Sequence, residues 1–141
     1  MKKLFGFLCL LTILAACSND NDTTKEITIT KAYVEENAEV GLTYDEVRER
    51  FGQEELSDVV DHTETWLYDV TSDNDYEYEK SLEVVAFEEI MSGHVDAQLY
   101  INFFDEKAFM YSYFYLGEDG NVWQYQVTPN KEPLEIPVSS N

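Results

Sequence analysis

Basic residues are scarce in this chain. Its 141 residues include 9 Lys and Arg against 29 Asp and Glu, which gives a formal net charge of −20. Nucleic-acid binding needs a basic surface that neutralises phosphates, so this composition excludes an ordinary nucleic-acid-binding protein. The negative charge also argues against docking on an anionic membrane by charge alone. A partner steered by this charge would present a basic surface.

Cysteine and long apolar runs are also rare. The two cysteines, Cys9 and Cys17, both lie near the start of the sequence. The rest of the chain therefore has no means of forming an internal disulfide. No apolar run reaches the length of about 20 residues that a transmembrane helix needs. The hydrophobic content of 44% and the aromatic content of 14% are too high for a disordered acidic chain. Length and composition thus predict one folded domain.

The first seventeen residues have the pattern of an export signal. Lys2 and Lys3 precede an apolar run over residues 4–14, which suits the h-region of a secretory signal peptide. The Leu-Ala-Ala-Cys sequence that ends at Cys17 resembles the lipobox of bacterial lipoproteins. This resemblance implies cleavage before Cys17 and a diacylglycerol anchor on its sulfur, with no other cofactor. Two acyl chains on one residue give stable attachment to a membrane.

The lipoprotein resemblance also implies an order of segments along the chain. We expect a signal peptide over 1–16, a lipidated cysteine and polar tether over 17–27, an α+β domain over 28–128 and a C-terminal tail over 129–141. The tail contains all three prolines, which disfavour regular structure. The mature protein is then expected on the extracytoplasmic face of the cell membrane, held by its lipid.

Two short helices are predicted at the start of the domain. The mixture of apolar and acidic residues over 30–39 favours the first helix. Thr43 is a good N-cap for the second helix, and Glu46 three residues later completes a capping box. Gly52 is a natural residue to end it. The apolar stripe of this helix is Tyr44, Val47 and Phe51, which we interpret as core.

From residue 63 onward the apolar residues alternate with a period of two, as in strands. The predicted strands are 63–70, a hairpin over 97–116 and a last strand over 122–127. Residues 82–87 are a further strand candidate, which 88–91 would either extend or turn into a helix. Because the helices precede the strands, we predict an α+β fold. It would have two short N-terminal helices packed on one face of an antiparallel sheet of about four strands.

The predicted second helix carries a resemblance to a known group. The sequence Gly-Leu-Thr-Tyr-Asp-Glu-Val over 41–47, followed by Phe51 and Gly52, resembles the G-M-T-x-x-E-V-x-x-x-L-G segment of the SmpA/OmlA and β-lactamase-inhibitor-protein-like lipoproteins. Leu42 replaces the Met, Phe51 replaces the Leu, and the proline that commonly follows the glycine is absent. The resemblance implies helices on a sheet and protein binding instead of catalysis. It transfers neither a partner nor a functional residue. The Lys-Lys start and the acidic body favour a Gram-positive member.

A row of large aromatic residues is the main candidate for a binding face. Its members alternate along two predicted strands: Tyr111, Tyr113, Tyr115, Trp123 and Tyr125. Tyrosine and tryptophan dominate the hot spots of protein interfaces. The alternative is that this row forms the core, with its hydroxyls reaching the rim. The opposite row, which includes Met110, Phe114 and Leu116, is equally apolar, so a second buried or binding face is expected.

An acidic segment is a weaker candidate for a cation site. Asp73, Asp75 and Glu77 alternate as at the start of a Ca²⁺ loop. However, Tyr78 stands where an EF-hand needs glycine, and Val84 stands where it needs glutamate. A solvated acidic loop is therefore favoured over calcium binding. The two histidines, His62 and His94, make a poor zinc site without cysteine.

The sequence contains no nucleophile elbow and no glycine-rich phosphate loop, so we predict that the protein is not an enzyme. The leading hypothesis is a non-catalytic protein- or ligand-binding module of the cell envelope, anchored through Cys17. Two alternatives belong to other classes. One is an accessory structural subunit of an envelope assembly, and the other is a calcium-responsive module that uses the acidic residues 73–79.

Overall fold

The computed structural model describes residues 26–139. Cys17, the predicted signal peptide and nearly all of the predicted tether lie outside the described residues. The described part contains three short helices and six strands: α1 (Lys31–Asn37), α2 (Tyr44–Phe51), β1 (Leu56–Val60), β2 (Thr63–Val70), α3 (Phe87–Ser92), β3 (Ala97–Phe104), β4 (Lys107–Leu116), β5 (Val122–Val127) and β6 (Leu134–Ser139). None of the helices in this part is long and apolar enough to cross a membrane.

The strands form one antiparallel sheet in the order β1-β2-β3-β4-β5-β6, so each strand pairs with its neighbour along the chain. Two of the connections are two-residue turns in which both residues have positive φ angles. They are Asp61 and His62 (46° and 66°) between β1 and β2, and Asp105 and Glu106 (51° and 60°) between β3 and β4. Turns of this kind match the twist of the strands that they join.

The predicted fold of two helices on a four-stranded sheet is wrong. The sheet has six strands, and a third helix, α3, starts at Phe87, where the sequence pattern favoured a strand over 82–87. The additional strands β1 and β6 lie at the two edges of the sheet. The predicted irregular tail therefore contributes a strand. Pro137 is tolerated there because an edge strand has one side without ladder hydrogen bonds.

The predicted N-terminal helices are confirmed at 31–37 and 44–51. The capping box of α2 is present: the Glu46 amide donates to the Thr43 hydroxyl at 3.4 Å, and the Thr43 amide donates to Glu46 Oε2 at 2.9 Å. Gly52 ends the helix with a φ of 82°, in the left-handed region that suits glycine. Both helices bury their apolar stripe against the same face of the sheet, which we call the first face.

The core of the first face joins α1 and α2 to the middle strands. Its members are fully or nearly fully buried and include Val34, Val47, Phe51, Trp66, Tyr68, Leu99, Ile101, Phe103, Tyr111, Tyr113 and Tyr125. The predicted core stripe of α2 is confirmed, since Val47 and Phe51 are buried and Tyr44 packs against the same cluster.

The opposite, second face of the sheet is covered as well, over part of its length. Leu67, Tyr100, Phe114 and Val122 form a second core with Ile90 of α3. Residues 71–86, which we call the strap, run between β2 and α3 and add partly buried side chains to this core. Helices thus pack on both faces of the sheet, whereas the predicted fold placed them on one face.

Candidate functional site

Three members of the predicted aromatic face lie in the first-face core. Tyr111, Tyr113 and Tyr125 are at most 8% exposed. The Tyr111 hydroxyl donates to the Glu39 carbonyl at 2.7 Å, and the Tyr113 hydroxyl donates to the Ile29 carbonyl at 3.1 Å. Burial raises the pKa of both phenols. These three tyrosines therefore hold the helices on the sheet and are not available as an exposed contact surface.

The other two members of the row lie at its edge and are half-buried. The Tyr115 hydroxyl bonds to the Glu135 carboxylate on β6. Burial, with a smaller contribution from that bond, raises the pKa of Tyr115 to about 12. The Trp123 indole donates to Asp119 Oδ1 at 3.0 Å. Both polar ends are thus engaged within the chain, and the five aromatic residues do not form one exposed patch.

The predicted acidic candidates Asp73, Asp75 and Glu77 are exposed residues of the strap. Asp73 Oδ1 accepts from the Asp75 amide at 3.2 Å, so the start of this segment is organised by its own backbone. In residues 26–139, no group of three or more His, Cys, Asp or Glu side chains is arranged to hold a metal ion. His62 lies in the β1–β2 turn, whereas His94 follows α3 and stacks on Tyr76 with 4.1 Å between the ring centroids.

The strap leaves a groove open on the second face of the sheet. It has a volume of about 600 Å³ and lies between the strap and strands β2 to β4. Its apolar lining consists of Val60 and Phe114 on the sheet and of Leu82 and Val85 on the strap. The floor is polar but uncharged: Thr65 on β2 pairs with Asn102 on β3, and Ser112 on β4 pairs with Tyr100. A concave site with apolar walls and a few polar groups is the usual form of a ligand site.

Hydrogen bonds order the side chains of the groove floor. Asn102 Nδ2 donates to the Thr65 hydroxyl at 2.9 Å, and Gln126 Nε2 donates to the Ser112 hydroxyl at 3.4 Å. The Thr65 hydroxyl donates to the Thr63 carbonyl at 3.2 Å. Hydroxyl and amide groups can both donate and accept further hydrogen bonds. The hydrogen-bond partners of these hydroxyls are side-chain amides and a carbonyl, and none of them is a general base. The floor therefore suits the recognition of neutral polar groups.

A buried polar network fixes the strap to the sheet. The Asp69 side chain is 1% exposed, and its Oδ1 accepts from Gln98 Nε2 at 3.0 Å and from the Tyr78 hydroxyl. Gln98 is fully buried, and its Oε1 accepts from the Ala86 amide at 2.9 Å. Burial and the bond to Asp69 raise the pKa of the Tyr78 phenol, which keeps it protonated as a donor. Sequence reasoning missed this network, although polar residues on inward-facing strand positions could have signalled it.

A second cavity of about 710 Å³ lies beside this network, between the strap and the sheet; we call it the strap pocket. Its lining includes four carboxylate side chains and two tyrosines: Glu55, Asp69, Asp73, Glu77, Tyr76 and Tyr78. Asp69 Oδ2 is buried and has no hydrogen-bond partner among the described residues. Lys80 Nζ lies 3.8 Å from this oxygen and donates to Glu55 Oε1 at 2.6 Å.

A cluster of aromatic rings on the first face packs against a cation that belongs to the chain itself, the Arg48 guanidinium. The Arg48 guanidinium lies 4.3 Å from the ring centroid of Trp66 and donates two hydrogen bonds to the Glu54 carboxylate, at 2.9 and 2.6 Å. These bonds lower the pKa of Glu54. Trp66 is 2% exposed, so the chain's own arginine fills the cluster and its role is structural.

Comparisons with protein families, with characterised proteins and with solved structures found no match for this chain. The resemblance of residues 41–52 to the SmpA/OmlA and β-lactamase-inhibitor-protein-like lipoproteins therefore stays a prediction from the sequence.

Proposed function

We propose that this protein is a lipid-anchored, extracytoplasmic module that binds an extended segment of a basic protein without catalysing a reaction. The observation that carries the proposal is the open groove on the second face, with its uncharged hydrogen-bonding floor and apolar walls. An extended segment offers backbone amides and carbonyls to such a floor, and its alternate side chains meet the walls.

Charge supports a basic partner. The chain has a net charge of −20, and the acidic residues Asp61 and Glu83 are exposed at the margin of the groove. Complementary charge steers the encounter of two proteins and disfavours acidic competitors. We therefore expect capture of the partner to weaken as salt concentration rises, because surface electrostatics are screened.

The lipobox pattern that ends at Cys17 supports the anchor. A lipid on this cysteine would hold the domain at the membrane, and the polar residues after it would act as a flexible tether. The proposed location leaves the groove accessible to proteins of the envelope. Replacement of Cys17 by alanine is expected to abolish incorporation of labelled fatty acid and to move the protein out of the membrane fraction.

The proposal is tested by crosslinking in cells, followed by affinity capture of the full-length protein. Thr63→Tyr places a large ring at the groove. Ser57→Tyr makes a matched change on the exposed side of β1, toward the other face of the sheet. We expect the wild type and Ser57→Tyr to capture the same basic protein and Thr63→Tyr to lose it. Equal capture by both variants, each shown by circular dichroism to be folded, would refute the groove as the binding site.

A further inference from the structure

We infer that the strap pocket binds an arginine side chain of the partner, with Asp69 as the buried carboxylate that receives its guanidinium. This inference rests on the proposed function, because the arginine would belong to the basic segment that occupies the neighbouring groove.

The strongest observation is the second oxygen of Asp69. Buried carboxylate oxygens are normally hydrogen-bonded. Asp69 Oδ1 accepts from Gln98 and Tyr78, whereas Oδ2 accepts from no described residue. Oδ2 forms a long ion pair with the Lys80 ammonium, which lines the strap pocket, at 3.8 Å, beyond hydrogen-bond distance. Asp69 lines the pocket, and its Oδ2 has a cation nearby but no hydrogen-bond donor among the described residues.

The surroundings of Asp69 Oδ2 suit a cation with several donors. Glu55, Asp73 and Glu77 contribute further carboxylates to the pocket, against the single ammonium of Lys80. The Lys80 ammonium already occupies part of this space and makes its short bond to Glu55, so an incoming cation must displace it. Its volume of about 710 Å³ lies within the range of ordinary ligand sites.

Arginine is chosen over lysine because its guanidinium is planar and because two aromatic rings line the pocket. Tyr76 and Tyr78 both line the pocket and stack with a centroid distance of 6.0 Å. A guanidinium is planar, stacks on aromatic rings and donates to a carboxylate from a rigid fork, whereas an ammonium is a compact point charge. A metal ion is disfavoured, because the carboxylates in the described part of the chain do not converge as ligands.

Lys80 is expected to oppose the incoming arginine. Its side chain is 29% exposed, and that of its partner Glu55 is 48% exposed, so both can move outward together. Removing the lysine side chain in Lys80→Ala eliminates a positive charge next to Asp69 Oδ2 and opens the approach to it. The arginine should therefore bind more tightly to Lys80→Ala than to the wild type.

The test is an NMR titration of the mature lipidated protein in detergent micelles. The probe is N-acetyl-arginine amide, compared with the lysine analogue and with the neutral citrulline analogue. We expect millimolar binding of the arginine probe, weaker binding of the lysine probe and none of the citrulline probe. Loss of a charge-assisted bond in Asp69→Asn should weaken binding by about tenfold, and Lys80→Ala should strengthen it severalfold. Asp105→Asn is the matched control at an exposed turn and should stay within about twofold of the wild type.

Equal binding of arginine and citrulline, or unchanged binding in Asp69→Asn, would overturn the inference. If Asp69→Asn does not fold, an absence of tightening in Lys80→Ala overturns it instead. Capture of a partner at the groove without probe discrimination would refute the strap pocket and leave the proposed function standing. Probe discrimination without any captured partner would support the pocket and count against the proposed function.

Discussion

Truncation of Tyr111 tests the assignment of the tyrosine row to the core. This side chain is fully buried, and its ring lies 6.1 Å from that of Phe51 on α2. Replacement of a buried aromatic residue by alanine costs about 3–5 kcal/mol. Tyr111→Phe keeps the ring and loses only the hydrogen bond to the Glu39 carbonyl, which costs about 0.5–1.5 kcal/mol. Because a whole domain is stable by about 5–15 kcal/mol, the two variants should be clearly separated.

The assay is urea unfolding of the full-length protein in detergent, followed by far-UV circular dichroism. With an m-value of about 2 kcal/mol per M, a loss of about 4 kcal/mol lowers the unfolding midpoint by about 2 M, and Tyr111→Phe lowers it by about 0.5 M. Val84→Ala, at a strap residue that is 65% exposed, should change the stability by less than about 0.5 kcal/mol. A loss below about 1 kcal/mol in Tyr111→Ala would refute the reasoning, since it would mean that the row is not packed beneath the helices.

Two further predictions concern the N-cap of α2 and the ion pair between Arg48 on that helix and Glu54. Thr43→Ala removes the acceptor of the Glu46 amide and should cost about 1 kcal/mol in the same urea assay. Thr43→Ser should retain most of that energy, and an equal loss in both variants would contradict the capping role. For Glu54, the bonds from Arg48 lower the pKa in the folded state below the ordinary value of 4.5. The ion pair therefore stabilises the fold above that value, and its contribution is lost as the pH falls through the folded-state pKa. Glu54→Gln should flatten the fall in stability between pH 6 and pH 3, and parallel curves for the two proteins would refute this.

The elements that could be predicted from the sequence are those with a local signal. The capping box of Thr43 and Glu46 involves residues three apart, so it is visible without knowledge of the rest of the fold. The hairpin of β3 and β4 is visible because apolar residues alternate on both of its strands. In each case the structure confirms the element at nearly the predicted residues.

The missed elements lack such signals. β1 is largely exposed, so burial imposes no alternation of apolar residues on it, and its pairing with β2 determines its place. β6 is also exposed and contains Pro137, which argued against a strand. α3 begins without a side-chain cap, and the apolar residues before it matched a strand because they cover the second face.

The candidate sites show the same dependence on distant parts of the chain. Both rows of β4 are apolar, so the sequence alone did not reveal which row the helices would cover. Asp69 and Gln98 are 29 residues apart, and each is an ordinary polar residue until β2 and β3 pair and bring them together. The groove and the strap pocket exist only because the strap crosses the second face.

The strap joins the two proposed binding sites into one surface. Leu82 and Val85 form a wall of the groove, whereas Tyr78 and Lys80 line the strap pocket. A chain spans at most about 3.3–3.6 Å per residue, so the Cα atoms of Tyr78 and Leu82, four positions apart, are separated by at most about 14 Å. An extended partner segment with an arginine about four residues from an apolar side chain would therefore reach both sites at once. Since the Asp69 network holds the strap in place, weakening that network should reduce binding at the groove as well as at the pocket.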